Sequence, residues 1–106
     1  MRPIPLAHRK IISTDPYFRT CARSNDECSG RITIEHAWIY QGRQINELWA
    51  YVPLCEYHHL GKGLIKWINH YLSIMRATDK DLKKYPNRDW AQERSYLTKK
   101  HENHHN

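Results

Sequence analysis

The side chains best suited to chemistry in this chain are Cys21, Cys28, Glu35, His36, Cys55, His58 and His59. Thiolates and imidazoles are zinc ligands, and a carboxylate with an imidazole suits a wider range of divalent cations. An imidazole also exchanges its proton near neutral pH. Three cysteines are an odd number. A disulfide framework would leave one over, and nothing in the sequence points to secretion. Three cysteines and one well-placed histidine would instead complete a single four-ligand metal site. Plainer readings compete: buried thiols for the cysteines, an exposed strand end for Glu35-His36, and a surface imidazole for His59.

The surrounding pattern says which elements must carry these groups. Residues 1–20 read as an extended arm punctuated by Pro3, Pro5 and Pro16, which disfavour a regular helix. Residues 21–30 are polar and turn-rich. Arg31 to His36 alternates with β-branched residues and predicts a short strand. Residues 37–48 read as a polar loop, and Trp49 to Leu54 as a second strand, ended or placed at an edge by Pro53. Cys55 opens a short helix that Gly61 and Gly63 interrupt. From Leu64 to Ala77 the apolar spacing is helical, with Trp67, Ile68, Tyr71, Leu72 and Met75 as core and His70 as a packed histidine. Thr78-Asp79 can cap a short helix through Tyr85, and Asn87 a last helix from Arg88 to Lys100. His101, His104 and His105 read as a solvated, frayed end. His8 has no evident partner.

The central order is strand, Glu-His pair, loop, strand, then Cys-x-x-His-His at a helix start. It resembles the HNH (ββα-metal) endonuclease motif over residues 21–63. The likeness is most specific at Ile32-Thr-Ile-Glu35-His36 and Val52-Pro-Leu-Cys55-Glu-Tyr-His58-His59, and the interval of 23 residues from His36 to His59 fits the family. The resemblance implies an α+β fold: a treble-clef-like ββα-metal core with a structural zinc and a helical C-terminal extension over 64–106, all in one domain. On a helix, positions i and i+3 share a face while neighbours diverge by about 100°. Cys55 and His58 can therefore grip one ion, with Cys21 and Cys28 completing a Cys₃His zinc clip, while His59 turns back toward Glu35-His36. The family pattern makes Glu35 and His59 ligands of a catalytic divalent cation (Mg²⁺ or Mn²⁺, with Ni²⁺ or Zn²⁺ also allowed). It makes His36 the general base.

One departure stands out. The family's middle asparagine falls at Ala50, and Asn46, four residues earlier, is the residue left to brace the loop. The formal net charge is +6, split as +1 over residues 1–59 and +5 over residues 60–106. A basic C-terminal half favours a polyanionic partner. Trp38, Tyr40 and Arg43, together with Lys62 and Lys66, are the expected DNA contacts. Lys80, Lys83, Lys84, Arg88, Lys99 and Lys100 are further phosphate-binding candidates of low sequence preference.

The resulting expectation is a nuclease that hydrolyses DNA phosphodiester bonds and nicks one strand per monomer. Its partner would be double-stranded DNA, read with little sequence preference, by a monomer or weak dimer. The alternative is a catalytically inactive, zinc-stapled DNA- or protein-binding module. No apolar run reaches the roughly 20 residues of a membrane helix, and Met1 to Leu6 lacks a secretory apolar core. A cytoplasmic location is expected, and the compact size and wide Cys21–Cys28 spacing resemble phage-encoded members of the family.

Overall fold

A computed structural model describes residues 4–104. Two strands form the centre: β1 (Ile32–His36) and β4 (Tyr51–Cys55), antiparallel, with Thr33 opposite Leu54, Glu35 opposite Val52 and His36 opposite Tyr51. The alternation of a strand puts Thr33 and Glu35 on one face and His36 on the other. β4 is buried along its whole length, as its apolar run requires, and Pro53 costs no ladder donor at this edge position. The chain passes directly from Cys55 into α2 (Glu56–Leu60). The expected strand–loop–strand–helix order is therefore present in the middle of the chain.

The segment between the strands is more structured than a polar loop. β2 (Ile39–Tyr40) and β3 (Arg43–Gln44) form a hairpin, and a 3₁₀ turn over Leu48–Ala50 leads into β4. The turn residues Gln41 and Gly42 have φ of 51° and 79°, the pair of positive values that matches strand twist in a two-residue hairpin. Trp38, Ile45 and Trp49 on either side of the hairpin are buried.

Residues 1–20 are not an extended arm among the described positions. α1 (Leu6–Thr14) is helical, and Pro16–Arg19 is a 3₁₀ turn. The prolines stand where they do no harm: Pro5 at the N-cap and Pro16 at the first position of its turn, where an amide proton would have no helical partner. Asp15 caps that turn by accepting from the Tyr17 amide.

The C-terminal extension is helical. α3 (Lys66–Ile74) buries Ile68, Asn69, Ser73 and Ile74. Trp67, Tyr71 and Leu72 pack partly against the core, whereas Met75, expected inside, is half exposed beyond the end of the helix. α4 (Asp79–Leu82) starts with the expected Thr78 cap, a reciprocal box in which the Thr78 hydroxyl accepts from the Asp81 amide and the Asp81 carboxylate accepts from the Thr78 amide. It ends sooner than the expected Tyr85. α5 (Trp90–Glu102) begins later than expected, because Asp89 rather than Asn87 caps it by accepting from Gln92. It also runs further, so His101 is helical and stacks on Tyr71 at 4.1 Å. His104 lies edge-on to Trp67, and His105 lies outside the described residues.

Strands, hairpin and extension meet in one aromatic core. Trp38 packs edge-on against Trp90 at 5.2 Å, and Trp90 against Trp49 at 5.9 Å. The Trp38 indole donates to Ser73 Oγ, tying the residue just before the hairpin to α3. Truncating a buried tryptophan of this kind to alanine costs about 3–5 kcal/mol. No helix among the described residues is long and apolar enough to cross a membrane.

Candidate metal centre and adjoining acid–imidazole cluster

Cys21, Cys28, Cys55 and His58 come together, with ligand atoms all within 4.8 Å of one another. Their His58 Nδ1 to sulfur separations are 3.1 Å for Cys55, 3.5 Å for Cys21 and 3.6 Å for Cys28. A tetrahedral zinc with Zn–N near 2.0 Å and Zn–S near 2.3 Å separates nitrogen from sulfur by about 3.5 Å. The four residues fit such an ion and could hold a metal such as zinc.

Local structure explains the convergence. Cys55 and His58 sit at the N-cap and third residue of α2, one turn apart. The polar 21–30 segment is tied to them by backbone: the Ala22 amide donates to Pro53 O, and the Tyr57 amide to Ser29 O. The Arg23 guanidinium donates to Gly63 O on the far side of α2. Gly63 is needed here, since a Cβ would lie 2.5 Å from the Tyr57 ring and 2.8 Å from His58 Cδ2. Burial pushes the Cys55 thiol up, but hydrogen bonds from the His58 and Ser29 backbone and from the His58 and Cys28 side chains outweigh it and bring it down to about 6. The lowering favours the thiolate, the form that binds metal. Burial raises the Cys21 thiol. All three cysteines are free, with no disulfide among them.

A second cluster stands on the other side of α2. His59 points away from His58, and its Nε2 lies 3.7 Å from Glu35 Oε1. The Thr33 hydroxyl is 2.6 Å from His59 Nδ1 and donates its proton to Leu54 O at 2.9 Å. Having spent its proton there, Thr33 must accept from Nδ1–H. The neutral ring then carries its lone pair on Nε2, facing Glu35. The other carboxylate oxygen, Glu35 Oε2, accepts from Lys66 Nζ at 3.3 Å and Asn69 Nδ2 at 3.4 Å. Glu35 is a buried carboxylate with every oxygen facing a donor or an imidazole. One oxygen and one nitrogen lone pair converge here, a donor set suited to a divalent cation.

His36 follows Glu35 in β1, on the other face of the strand, and feels the charges of Glu35 and His59. Burial lowers its pKa, the Asn46 side chain and the Glu35 charge work against that, and His59 adds to it. The ring lines a cleft of about 320 Å³ shared with Trp38, Lys66, His70 and Arg88. Its edge meets Tyr51, whose hydroxyl is 2.8 Å from His8 Nδ1, so His8 does have a partner. His36 Nε2 and Asn46 Oδ1 are both buried without a hydrogen-bond partner. Ala50 is wholly buried in the core.

The expected DNA contacts divide. Trp38 is 2% exposed, stacked on His70 at 4.2 Å and covered by Arg88, so it is a core residue and not a surface contact. Arg43, at the hairpin, and Lys62, after α2, are exposed to solvent, while Lys66 is engaged by Glu35. Arg88 is held by both carboxylate oxygens of Glu93 and is no free cation. Thr33 and Asn69 were not singled out by the sequence. Thr33 lay in the open, two residues before Glu35 on the same strand face, a signal that period-two reading could have used. Asn69 carried none, because its role depends on how α3 docks.

Comparison of the chain with family models, curated proteins and solved structures found no match in any of the three.

Proposed function

We propose that this chain is a metal-dependent endonuclease of the HNH type that hydrolyses DNA phosphodiester bonds, one strand at a time. The observation that carries this reading is the approach of Glu35 Oε1 to His59 Nε2, 3.7 Å apart, from residues 24 positions apart in sequence. Glu35 and His59 would hold a divalent cation, which when bound supplies positive charge to the scissile phosphate and to the departing 3′ oxygen. His36 is the general base: it accepts a proton from the water whose oxygen attacks phosphorus, and the P–O3′ bond breaks. Its burial-lowered pKa keeps the ring neutral, and so able to accept a proton, at neutral pH. Asn46 braces it. A bond from His36 Nε2–H to Asn46 Oδ1 would satisfy both unpartnered atoms and leave the Nδ1 lone pair to act as base. The Cys₃His group takes zinc and holds α2, and with it His59, in place. Arg43, Lys62 and the basic α3–α5 surface meet phosphates of duplex DNA.

A binding module without cleavage is the second reading. The alanine at position 50, where the family has asparagine, favours it. The two separate in a plasmid-nicking assay with Mg²⁺ or Mn²⁺ against EDTA. The wild type should convert supercoiled to open-circular DNA only with metal. His36→Ala should lose about 10²–10⁴ in rate while keeping its zinc content and its melting temperature. DNA retarded in a gel but never cut, by wild type under any metal, would favour the binding module.

A further inference from the structure

We infer that Asn69 is a positioning residue for the Glu35–His59 pair: one turn after Lys66 on α3, it holds Glu35 Oε2 so that Oε1 is presented to a divalent cation. The inference rests on the cation site argued above and assigns it a third element. Asn69 is 1% exposed, among the most deeply buried polar side chains of the chain. Its Nδ2 donates to Glu35 Oε2 at 3.4 Å, and its Oδ1 is buried with no partner. An amide buried with one end unsatisfied lowers stability relative to an apolar residue of similar size. Ser73, the other buried polar side chain of the same helix, is engaged by the Trp38 indole, whereas the Asn69 side chain meets only Glu35. What the amide achieves there is a hydrogen bond to one oxygen of one carboxylate.

Lys66 and Asn69 touch the same oxygen with different consequences. Both orient the carboxylate, leaving Oε1 toward His59. The ammonium of Lys66 also brings a positive charge that opposes a cation at Glu35, and its side chain is 66% exposed, free to swing away. Asn69 is neutral and enclosed. It can orient Glu35 without competing with the ion, as outer residues around metal sites do. Substituting Asn69 should therefore weaken cation affinity, and substituting Lys66 should not.

The test is Mn²⁺ binding to the zinc-loaded chain, read by electron paramagnetic resonance or calorimetry without DNA, together with thermal melting. Wild type should bind one Mn²⁺ beyond its zinc. Asn69→Ala should weaken that affinity about 10-fold or more, with zinc content unchanged. Lys66→Met should bind Mn²⁺ at least as tightly as wild type. In nicking assays the Mn²⁺ concentration giving half-maximal rate should move with the same signs, a shift that a merely structural role would not produce. Unchanged Mn²⁺ affinity in a folded Asn69→Ala chain overturns the inference and leaves the nuclease reading intact. Failure of wild type to bind Mn²⁺ at all overturns both the cation site and the inference. If Asn69→Ala does not fold, Asn69→Ser carries the same measurement, and failure of both to fold makes Asn69 a structural residue and overturns the assignment.

Discussion

The two sides of α2 present two kinds of side-chain cluster. His58 faces three sulfurs in an arrangement that already has the number and spacing a tetrahedral ion needs. His59, the next residue, faces one carboxylate oxygen across 3.7 Å. The first cluster is closed: three of its four members lie in strand-end and loop backbone pinned by hydrogen bonds, the fourth is in α2, and no ligand position is left over. The second is incomplete as a ligand set, with two donors, Glu35 and His59, while the nearby cleft is lined by His36 and Lys66. Closed sets serve folding, and open ones leave positions for water or substrate. The two histidines are consecutive residues of α2, and that helix is the link between the clusters.

The largest expected effect breaks that link. Cys55→Ser removes a thiolate from the closed set and from the start of α2. Structural zinc contributes on the order of 10 kcal/mol in small zinc-dependent folds, comparable with the whole stability of a domain this size. The variant should lose bound zinc and its cooperative melting transition together, and any nicking with them. Zinc content and melting temperature equal to wild type would detach the first cluster from the stability of the fold.

A smaller effect tests the open cluster alone. Thr33→Val keeps a β-branched residue in β1 but deprives His59 Nδ1 of its acceptor. The ring is then free to rotate or to change tautomer, and its Nε2 lone pair is no longer committed to the Glu35 side. Loss of an outer partner of this type typically costs 10–100-fold in metal affinity or activity. A fall of about 10-fold in Mn²⁺ affinity, with zinc still bound and the fold intact, is the expected result. An unaltered Mn²⁺ affinity would mean that Thr33 does not set the ring. If zinc left as well, the two clusters would be coupled in both directions.

The same contrast explains what could be read from the chain in advance. Cys55-x-x-His58 and the diverging His59 follow from helix geometry over a few residues, so the closed set and its partner imidazole were legible, as were β1, β4 and the Thr78 cap. Three other features were not. Pro3 and Pro5 looked like helix breakers, but Pro5 stands before the helix and leaves it intact. Gln41-Gly42 carried a hairpin signal that the polarity of its neighbours obscured, and with the hairpin went the burial of Trp38 between His70, Trp90 and Arg88. Asn69 and Tyr51 gain their roles from contacts with Glu35 and His8, 34 and 43 residues away. Local periodicity has no access to docking of this range, and the open cluster depends on it more than the closed one does.

The smallest expected effect concerns the surface where α3 supports that open cluster. His70 stacks on Trp38, and burial lowers its pKa. Arg88 and Lys66 add to the lowering, while Glu93 and the Ala37 backbone oppose it. A histidine that resists protonation when folded binds fewer protons in the native chain than in the unfolded one once pH falls below about 6.5. Stability therefore rises with pH through this window: the contribution is complete above the unfolded value and is lost as pH drops through it toward the folded one. His36, lowered by burial as well, acts in the same direction. His70→Phe keeps a flat ring on Trp38 and removes the titration. Urea midpoints measured at pH 8, 7, 6 and 5.5 should fall less steeply in the variant than in wild type, the remaining slope belonging to His36 and to acid release of any bound zinc, which both chains share. Parallel slopes in the two chains would show that His70 takes up its proton as readily in the fold as out of it, and that α3 rests on Trp38 without excluding water from the face that holds Glu35.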